Sequence, residues 1–289
     1  MILAFDLGGT LIKYGVIEPP MTFLMKSDME TNAHEGGHAI INRMIDMAKT
    51  LQKQYPITGI AISSAGVIEP VKGIVLTATD AIPDFIGLPI KALFEEQTQC
   101  FTTVENDVNC VALAEASLST HPVDDFVALT IGTGIGGGIV YQGKIIHGHA
   151  YSAGEWGKMY INGRPYEKLA SMSALLEHAK SSGLQVVNGA EVFKLYDRGD
   201  LVAHSVVQRF YHYLSLGVAN IIFTLNPKVV MIGGGISNRK DRFIEEFTQV
   251  LRLHLPPYYC EHVEIRLPEF LNDSGMLGAC VHHLQQQSH

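Results

Sequence analysis

The alternation of apolar and polar positions changes period repeatedly along the chain, and each change predicts an element. Residues 2–6 (ILAFD) are a short apolar run that reads as a buried strand. Gly8-Gly9-Thr10 is a turn, and 11–17 returns as a second strand. A helical period covers 38–54, with Ile40, Ile41, Met44, Ile45, Ala48 and Leu51 on one face. Residues 59–63 read as a strand entering Ser64-Ala65-Gly66, followed by a helix over 89–97, a strand over 101–104 and a helix over 108–117. Residues 118–125, with Ser, Thr, His, Pro and two Asp, read as a linker.

The pattern then restarts. Residues 126–130 (FVALT) predict a strand, Gly132 to Gly138 a glycine-rich turn, and 139–146 one or two returning strands. Helices over 169–180 and 201–225 precede a strand over 229–232 and a third glycine turn, Gly233-Gly234-Gly235. A helix over 239–253, a strand over 263–266 and a helix over 274–285 complete the chain. The layout of strand, Gly/Thr turn and strand therefore occurs twice, as DLGGTLIKYGVI and as TIGTGIGGGIVY. Strands alternating with helices predict the α/β class.

Composition narrows the function. The 289 residues are 47% hydrophobic and 17% charged, which excludes extended disorder. With 21 Lys and Arg against 29 Asp and Glu, the formal charge is −8, and nothing in the bulk charge attracts nucleic acid. The four cysteines are far apart and form no CxxC pair, which argues against a disulfide scaffold or a Cys-based zinc site. No basic region precedes the first apolar run, and no stretch approaches the roughly 20 apolar residues of a membrane span. A cytoplasmic protein with no membrane partner is expected.

Three glycine turns after apolar strands can present backbone N–H groups to an anion, with Thr10 and Thr133 adding hydroxyls. Tight turns in a glycine-rich chain are the alternative. Gly132 to Gly137 matches the dinucleotide pattern GxGxxG, but the chain continues as strand where that pattern needs a helix, and no GxxxxGK[ST] occurs. A nicotinamide-dependent dehydrogenase is thus disfavoured.

Five blocks together carry a stronger signal: DLGGT at 6–10, ENDVNCVALAE at 105–115, TIGTGIGGGIV at 130–140, AGEWG at 153–157 and NPKVVMIGGGIS at 226–237. Their order and content resemble the ROK family of sugar kinases and related repressors. The resemblance implies two ribonuclease-H-like domains of the actin and hexokinase type with an interdomain cleft. These would be residues 1–117 and 126–272, with the last helix, about 273–287, a candidate to pack back on the first. It implies ATP and Mg²⁺ as reaction partners and a homodimer. It also implies phosphoryl transfer to the 6-hydroxyl of a small-molecule sugar, a hexose or N-acetylhexosamine, with glucose and N-acetylmannosamine as first candidates and a β-glucoside such as cellobiose as the alternative. A non-catalytic sugar sensor is the competing class. The DNA-binding segment of the repressors would precede the first glycine turn, and DLGGT already begins at residue 6.

The resemblance also assigns roles. Asp107 matches the base that accepts the sugar hydroxyl's proton, and Asn106 matches a sugar ligand. Local sequence alone reads Asp107 as a helix N-cap instead. Glu155 and Glu167 match carboxylates that hold sugar hydroxyls, and Gly66 and Thr79 fall where related kinases contact the sugar. Asp6, Gly8, Gly9, Thr10, Thr133 and Gly134 would surround the phosphates, with Asp6 orienting Mg²⁺ through water, and Gly233, Gly234 and Gly235 would lie beside the adenosine. Taken alone, Asp6 reads as an Asx-turn residue and Glu155 as a solvated acid. Many members hold a structural zinc with one His and three Cys. Here Lys158 stands at the His position and the loop 160–167 has no Cys, so no zinc is expected. The family His also touches the sugar near its first carbons, a contact Lys158 would have to replace. Lys13 is left without a role, and His147 and His149 read as a solvated loop.

Overall fold

A buried apolar strand followed by a glycine turn starts each half of the fold, and both halves build the same sheet from it. The structure is a computed structural model that describes residues 1–78, 80–270 and 272–287. Two compact units are present: one comprises Met1–Pro122, His147–Ala153 and Asn272–His289, the other Val123–Ile146 and Gly154–Leu271.

In the first unit, β1 (Ile2–Leu7), β2 (Leu11–Glu18) and β3 (Thr22–Glu30) form an antiparallel meander. After α1 (Gly37–Gln52), β4 (Gly59–Ser64) pairs parallel to β1. A small hairpin, β5 (Val67–Glu69) and β6 (Ile74–Thr77), and α2 (Ile90–Thr98) lead to β7 (Phe101–Asn106), parallel to β4. The sheet order is β3-β2-β1-β4-β7, and α3 (Asp107–Leu118) follows. The α1 face predicted from the period is the face buried, against Leu3, Phe5, Ile60 and Ile62 among others. The C-terminal helix (Ser274–Gln287) packs on α3, β4 and β1. Gly278 lets it approach closely, because a Cβ there would strike the Cys110 backbone. Gly59 likewise leaves room for the His283 ring, whose Nδ1 lies 3.0 Å from Thr103 Oγ1.

The second unit repeats the order. β8 (Phe126–Ile131), β9 (Ile135–Tyr141) and β10 (Lys144–Ile145) are the meander. A two-stranded ribbon, β11 (Tyr160–Ile161) and β12 (Arg164–Pro165), precedes α4 (Glu167–Ala170), α5 (Met172–Ser181), α6 (Gly189–Asp197) and α7 (Leu201–Leu225). β13 (Val229–Gly234) pairs parallel to β8; α8 (Asp241–Leu251) and α9 (Pro257–His262) precede β14 (Glu264–Arg266), parallel to β13. The order β10-β9-β8-β13-β14 matches the first sheet strand for strand. Two sheets of the same order are consistent with the repeated strand–turn–strand layout and with the two ribonuclease-H-like domains that the family resemblance implies. No helix of the described residues is long and apolar enough to cross a membrane.

Several elements depart from the sequence expectation. β3 is an added edge strand with no fully buried position: Phe23, Leu24 and Met25 run consecutively, and only Met25 and Met29 pack against the core, so no clean alternation marks it. The turn expected over Gly132–Gly138 spans 132–134, and Gly136 to Gly138 lie inside β9. Glycine at 137 makes room for the Trp156 indole, which donates to Ala128 O at 3.3 Å. The helix expected over 169–180 breaks at Ser171, whose hydroxyl caps α5 by accepting from Ala174 N.

Candidate active site

The parallel strands of the first unit end where its candidate residues begin: β1 at Leu7, β4 at Ser64 and β7 at Asn106. Carboxyl ends of parallel strands are where α/β sheets gather ligand-binding loops. Asp6 Oδ1 accepts from Ser63 Oγ on β4 at 2.7 Å, and its Oδ2 lies 3.6 Å from Lys13 Nζ on β2. Lys13 also donates to Asn272 O at 3.1 Å. Gly8 to Thr10 form the β1–β2 turn, closed by Gly8 N donating to Leu11 O and tied down by Thr31, whose hydroxyl donates to Gly8 O at 2.7 Å. A Cβ added at Gly9 would meet nothing within 4 Å. Among the described residues, the fold itself therefore gives no steric reason for glycine there.

Asn106 is the N-cap of α3: its Oδ1 accepts from Val108 N at 3.0 Å and Asn109 N at 3.1 Å. Its Nδ2 donates to Gly66 O and to Asp107 Oδ1, both at 2.9 Å, and Val108 N also reaches Asp107 Oδ1 at 2.9 Å. Asp107 is thus the first helical residue and not the cap. Gly66 is needed by the backbone, with φ +91 and Thr77 O 2.7 Å from where a Cβ would stand. Thr79 lies outside the described residues.

Glu105, given no role by the sequence reading, and His147, read there as part of a solvated loop, underpin this turn. The Glu105 side chain is fully buried, and its Oε1 accepts from Asn106 N at 2.8 Å and from Asn109 Nδ2 at 2.9 Å. His147 Nε2 lies 2.8 Å from Glu105 Oε2, and His282 Nδ1 lies 3.8 Å from the same oxygen. Burial pushes the Glu105 carboxyl up. The hydrogen bond from His147, the charges of His282 and His147, and Asn109 outweigh it and hold the group below the ordinary carboxylate value. Burial holds His282 below the ordinary imidazole value despite Glu105. His147 is therefore not part of a solvated loop. Its signal was absent because the contact spans 42 positions of sequence.

The second unit carries its own set at the ends of β8 and β13, which are adjacent and parallel. Gly132 N donates to Gly134 O at 3.0 Å, and Met172 N donates to Gly132 O at 2.9 Å, which anchors the Gly132-Thr133-Gly134 turn to α5. Glu167 opens α4 and rests on this turn: a Cβ at Gly134 would stand 2.8 Å from Glu167 Oε2. A Cβ at Gly157 would stand 3.1 Å from the same oxygen, and Lys158 Nζ lies 3.3 Å from Glu167 Oε1. A residue assigned to the sugar and a turn assigned to the phosphates are thus in contact. Desolvation raises the Glu155 carboxyl, with repulsion from Glu167 adding to it and Lys158 opposing. At the third turn, Gly233 and Gly234 end β13 and Gly235 opens a short 3-10 helix. Gly234 has φ +86, and a Cβ would strike Ile131 O. Ser237 Oγ donates back to Gly234 O at 2.7 Å. Arg239, bonded to Asp197 and Glu246 and seated over the Phe193 ring at 4.4 Å, pins the turn's far end.

The ROK family profile matches residues 2–286. The chain belongs to the ROK family. A β-glucoside kinase of Listeria monocytogenes is 33% identical over 300 residues, covering 99% of this chain and 98% of its own. A glucokinase of Halalkalibacterium halodurans is 30% identical over 304 residues, covering 94% and 92%. The crystal structure of a ROK hexokinase from Thermus thermophilus superposes with a TM-score of 0.85 at 27% identity, covering 100% of this chain and 99% of the other. The two-domain actin and hexokinase-like fold follows from these likenesses. Among the described residues of this ROK protein, no group of three or more His, Cys, Asp or Glu side chains is placed to hold a metal ion. Lys158, which the sequence reading sets at the position of a zinc-ligating His, is instead paired with Glu167 at 3.3 Å.

Proposed function

We propose that this ATP-dependent carbohydrate kinase of the ROK family phosphorylates the 6-hydroxyl of a β-glucoside, with glucose or N-acetylmannosamine as the second reading. The observation that carries the transfer chemistry is the Asp107 carboxylate, held at the first turn of α3 by donors from Asn106 Nδ2 and Val108 N. Asp107 is the base. The sugar's O6 attacks the γ-phosphorus, the bond from phosphorus to the β–γ bridging oxygen breaks, ADP leaves, and the hydroxyl proton passes to Asp107. Glu155 and Glu167 hold sugar hydroxyls, and Gly66 and Thr79 line the same sugar. Asn106 Nδ2 contacts the sugar by exchanging its bond to Gly66 O. Gly8, Gly9, Thr10, Thr133 and Gly134 surround the phosphates, and Gly233 to Gly235 accept the adenosine. One carboxylate, Asp6, suits a Mg²⁺ held mostly by phosphate oxygens and water, and such an ion would supply charge neutralisation there.

Two things support the β-glucoside over the free hexose. The curated relative at 33% identity is named for that substrate. Lys158, replacing the residue that in the family sits near the first carbons, turns to Glu167 instead, which favours a substituent at the anomeric position. A panel of cellobiose, simple aryl β-glucosides, glucose, N-acetylmannosamine and N-acetylglucosamine with ATP and Mg²⁺ tests this by ADP release. The highest kcat/KM is expected for a β-glucoside, with phosphate on O6. A glucose or N-acetylmannosamine value tenfold above cellobiose overturns the choice of sugar, and ADP release with none of them overturns the kinase reading.

Glu167→Gln should raise KM for the sugar about tenfold, the scale of one charge-assisted hydrogen bond of about 1.5 kcal/mol. KM for ATP should rise less. An equal rise for both substrates would mean that Glu167 acts by supporting the Gly134 turn. Elemental analysis should find well under one zinc per chain, and a zinc-selective chelator should leave turnover unchanged. Stoichiometric zinc would show that this chain has replaced the family ligands and kept the metal.

A further inference from the structure

Glu105 precedes Asn106 and Asp107 directly, and its buried carboxylate grips the backbone on both sides of the proposed base. Oε1 accepts from Asn106 N, one residue before Asp107, and from the Asn109 side chain, two residues after it. Both of these donors come from the β7–α3 turn itself. The donor to Oε2 comes from elsewhere: His147, on the His147–Ala153 segment that packs with the first unit. An ionised carboxylate only accepts, so Nε2 of His147 carries the hydrogen. His282 Nδ1 stands beyond hydrogen-bond range at 3.8 Å, and its Nε2 has no hydrogen-bond partner among the described residues. Without His147, a buried carboxylate would keep one oxygen unbonded, and it would relieve this by turning, taking the Asn106 N–H with it.

We propose that His147 is a positioning residue for phosphoryl transfer: through Glu105 it fixes the orientation of the Asn106–Asp107 turn. The segment just ahead of the Glu155 block is thereby coupled to the base. The proposal rests on the reading of Asp107 as that base.

A double-mutant cycle separates the two. His147→Ala should lower kcat at least tenfold with KM for ATP within about twofold, because the Asn106–Asp107 turn moves while the groups proposed for the nucleotide stay; KM for the sugar, which Asn106 also contacts, should rise by a smaller factor than kcat falls. His147→Gln, whose amide nitrogen reaches the Nε2 position, should restore kcat to within about threefold of wild type. In an Asp107→Asn background, His147→Ala should cost nothing further, since its effect passes through Asp107. If His147→Ala does not fold, His147→Asn, too short to reach Oε2, takes its place with the same expectations. A His147→Ala enzyme with wild-type kcat beside a crippled Asp107→Asn enzyme overturns the proposal and leaves the base intact. So does a lowered melting point with unchanged kcat per folded molecule, or a full additional loss in the double mutant. An Asp107→Asn enzyme with near-normal turnover removes the base reading itself, and the proposal with it.

Discussion

Asp107→Asn should lower kcat by about 10²–10⁴-fold, the usual scale for a lost general base, and leave the protein folded. The structure gives the second half of that expectation its reason. The cap of α3 is Asn106, whose Oδ1 takes both Val108 N and Asn109 N, so the substitution does not uncap the helix. An amide oxygen at 107 can still accept from Asn106 Nδ2 and Val108 N, the two donors that Asp107 Oδ1 now serves. What is lost is one negative charge in the first turn of a helix, worth about 0.3–1 kcal/mol at most surface sites. The melting temperature should therefore fall by only a few degrees, while single-turnover phosphoryl transfer collapses and ATP binding, read by calorimetry, is retained. A folded variant with near-wild-type turnover would reduce Asp107 to a structural residue of the α3 turn.

The architecture was legible because buried strands and glycine turns leave strong local signals. ILAFD and FVALT are apolar on both faces, as strands central to a covered sheet must be, and the turns after them recur at the same place in each sheet. The face of α1 was legible for the same reason: its period is set by what it buries. β3 was not, because none of its residues is fully buried and its apolar run Phe23-Leu24-Met25 breaks the alternation of a half-buried strand. The candidate residues were legible as single positions but not as contacts. Whether Asp107 or Asn106 caps α3 cannot be read from two adjacent cap-forming side chains; two N–H donors converging on Asn106 decide it. Glu167 on Gly134 and His147 on Glu105 join residues 33 and 42 positions apart, and no periodicity reports such pairs. His147 in particular looked like a loop residue because its neighbours are Gly148 and His149, whereas its environment is set by a strand from elsewhere in the chain.

Gly275→Ala should cut kcat about 10²-fold, against the ordinary expectation for a helix. Alanine in place of a helical glycine normally stabilises by up to about 1 kcal/mol, because glycine loses more backbone freedom on folding. Gly275 is the second residue of the C-terminal helix and its φ is not in the left-handed region, so backbone conformation gives no reason for glycine. The reason is Asp6. A Cβ at 275 would stand 2.5 Å from both Cγ and Oδ1 of that carboxylate, against the roughly 3.5 Å that such contacts need. Asp6 cannot yield freely. Its Oδ1 is held by Ser63 Oγ at 2.7 Å, and its backbone is paired to Lys13 on one side and Ser63 on the other. Either the carboxylate rotates off Ser63 or the helix lifts by about 1 Å, and, with Asp6 on the phosphate side as proposed, a displacement of that size should cost about 10²-fold in rate. The helix also packs closely on Cys110 through Gly278 and cannot shift freely, so the added methyl carries an overpacking cost of about 1–3 kcal/mol that cancels the propensity gain. The measurement is kcat as a function of Mg²⁺ concentration, alongside the melting point. The expected variant melts within a few degrees of wild type and needs more Mg²⁺ for half-maximal rate. A Gly275→Ala enzyme that is both more stable and fully active at the wild-type Mg²⁺ requirement would show that Asp6 has no part in holding the ion or the phosphates.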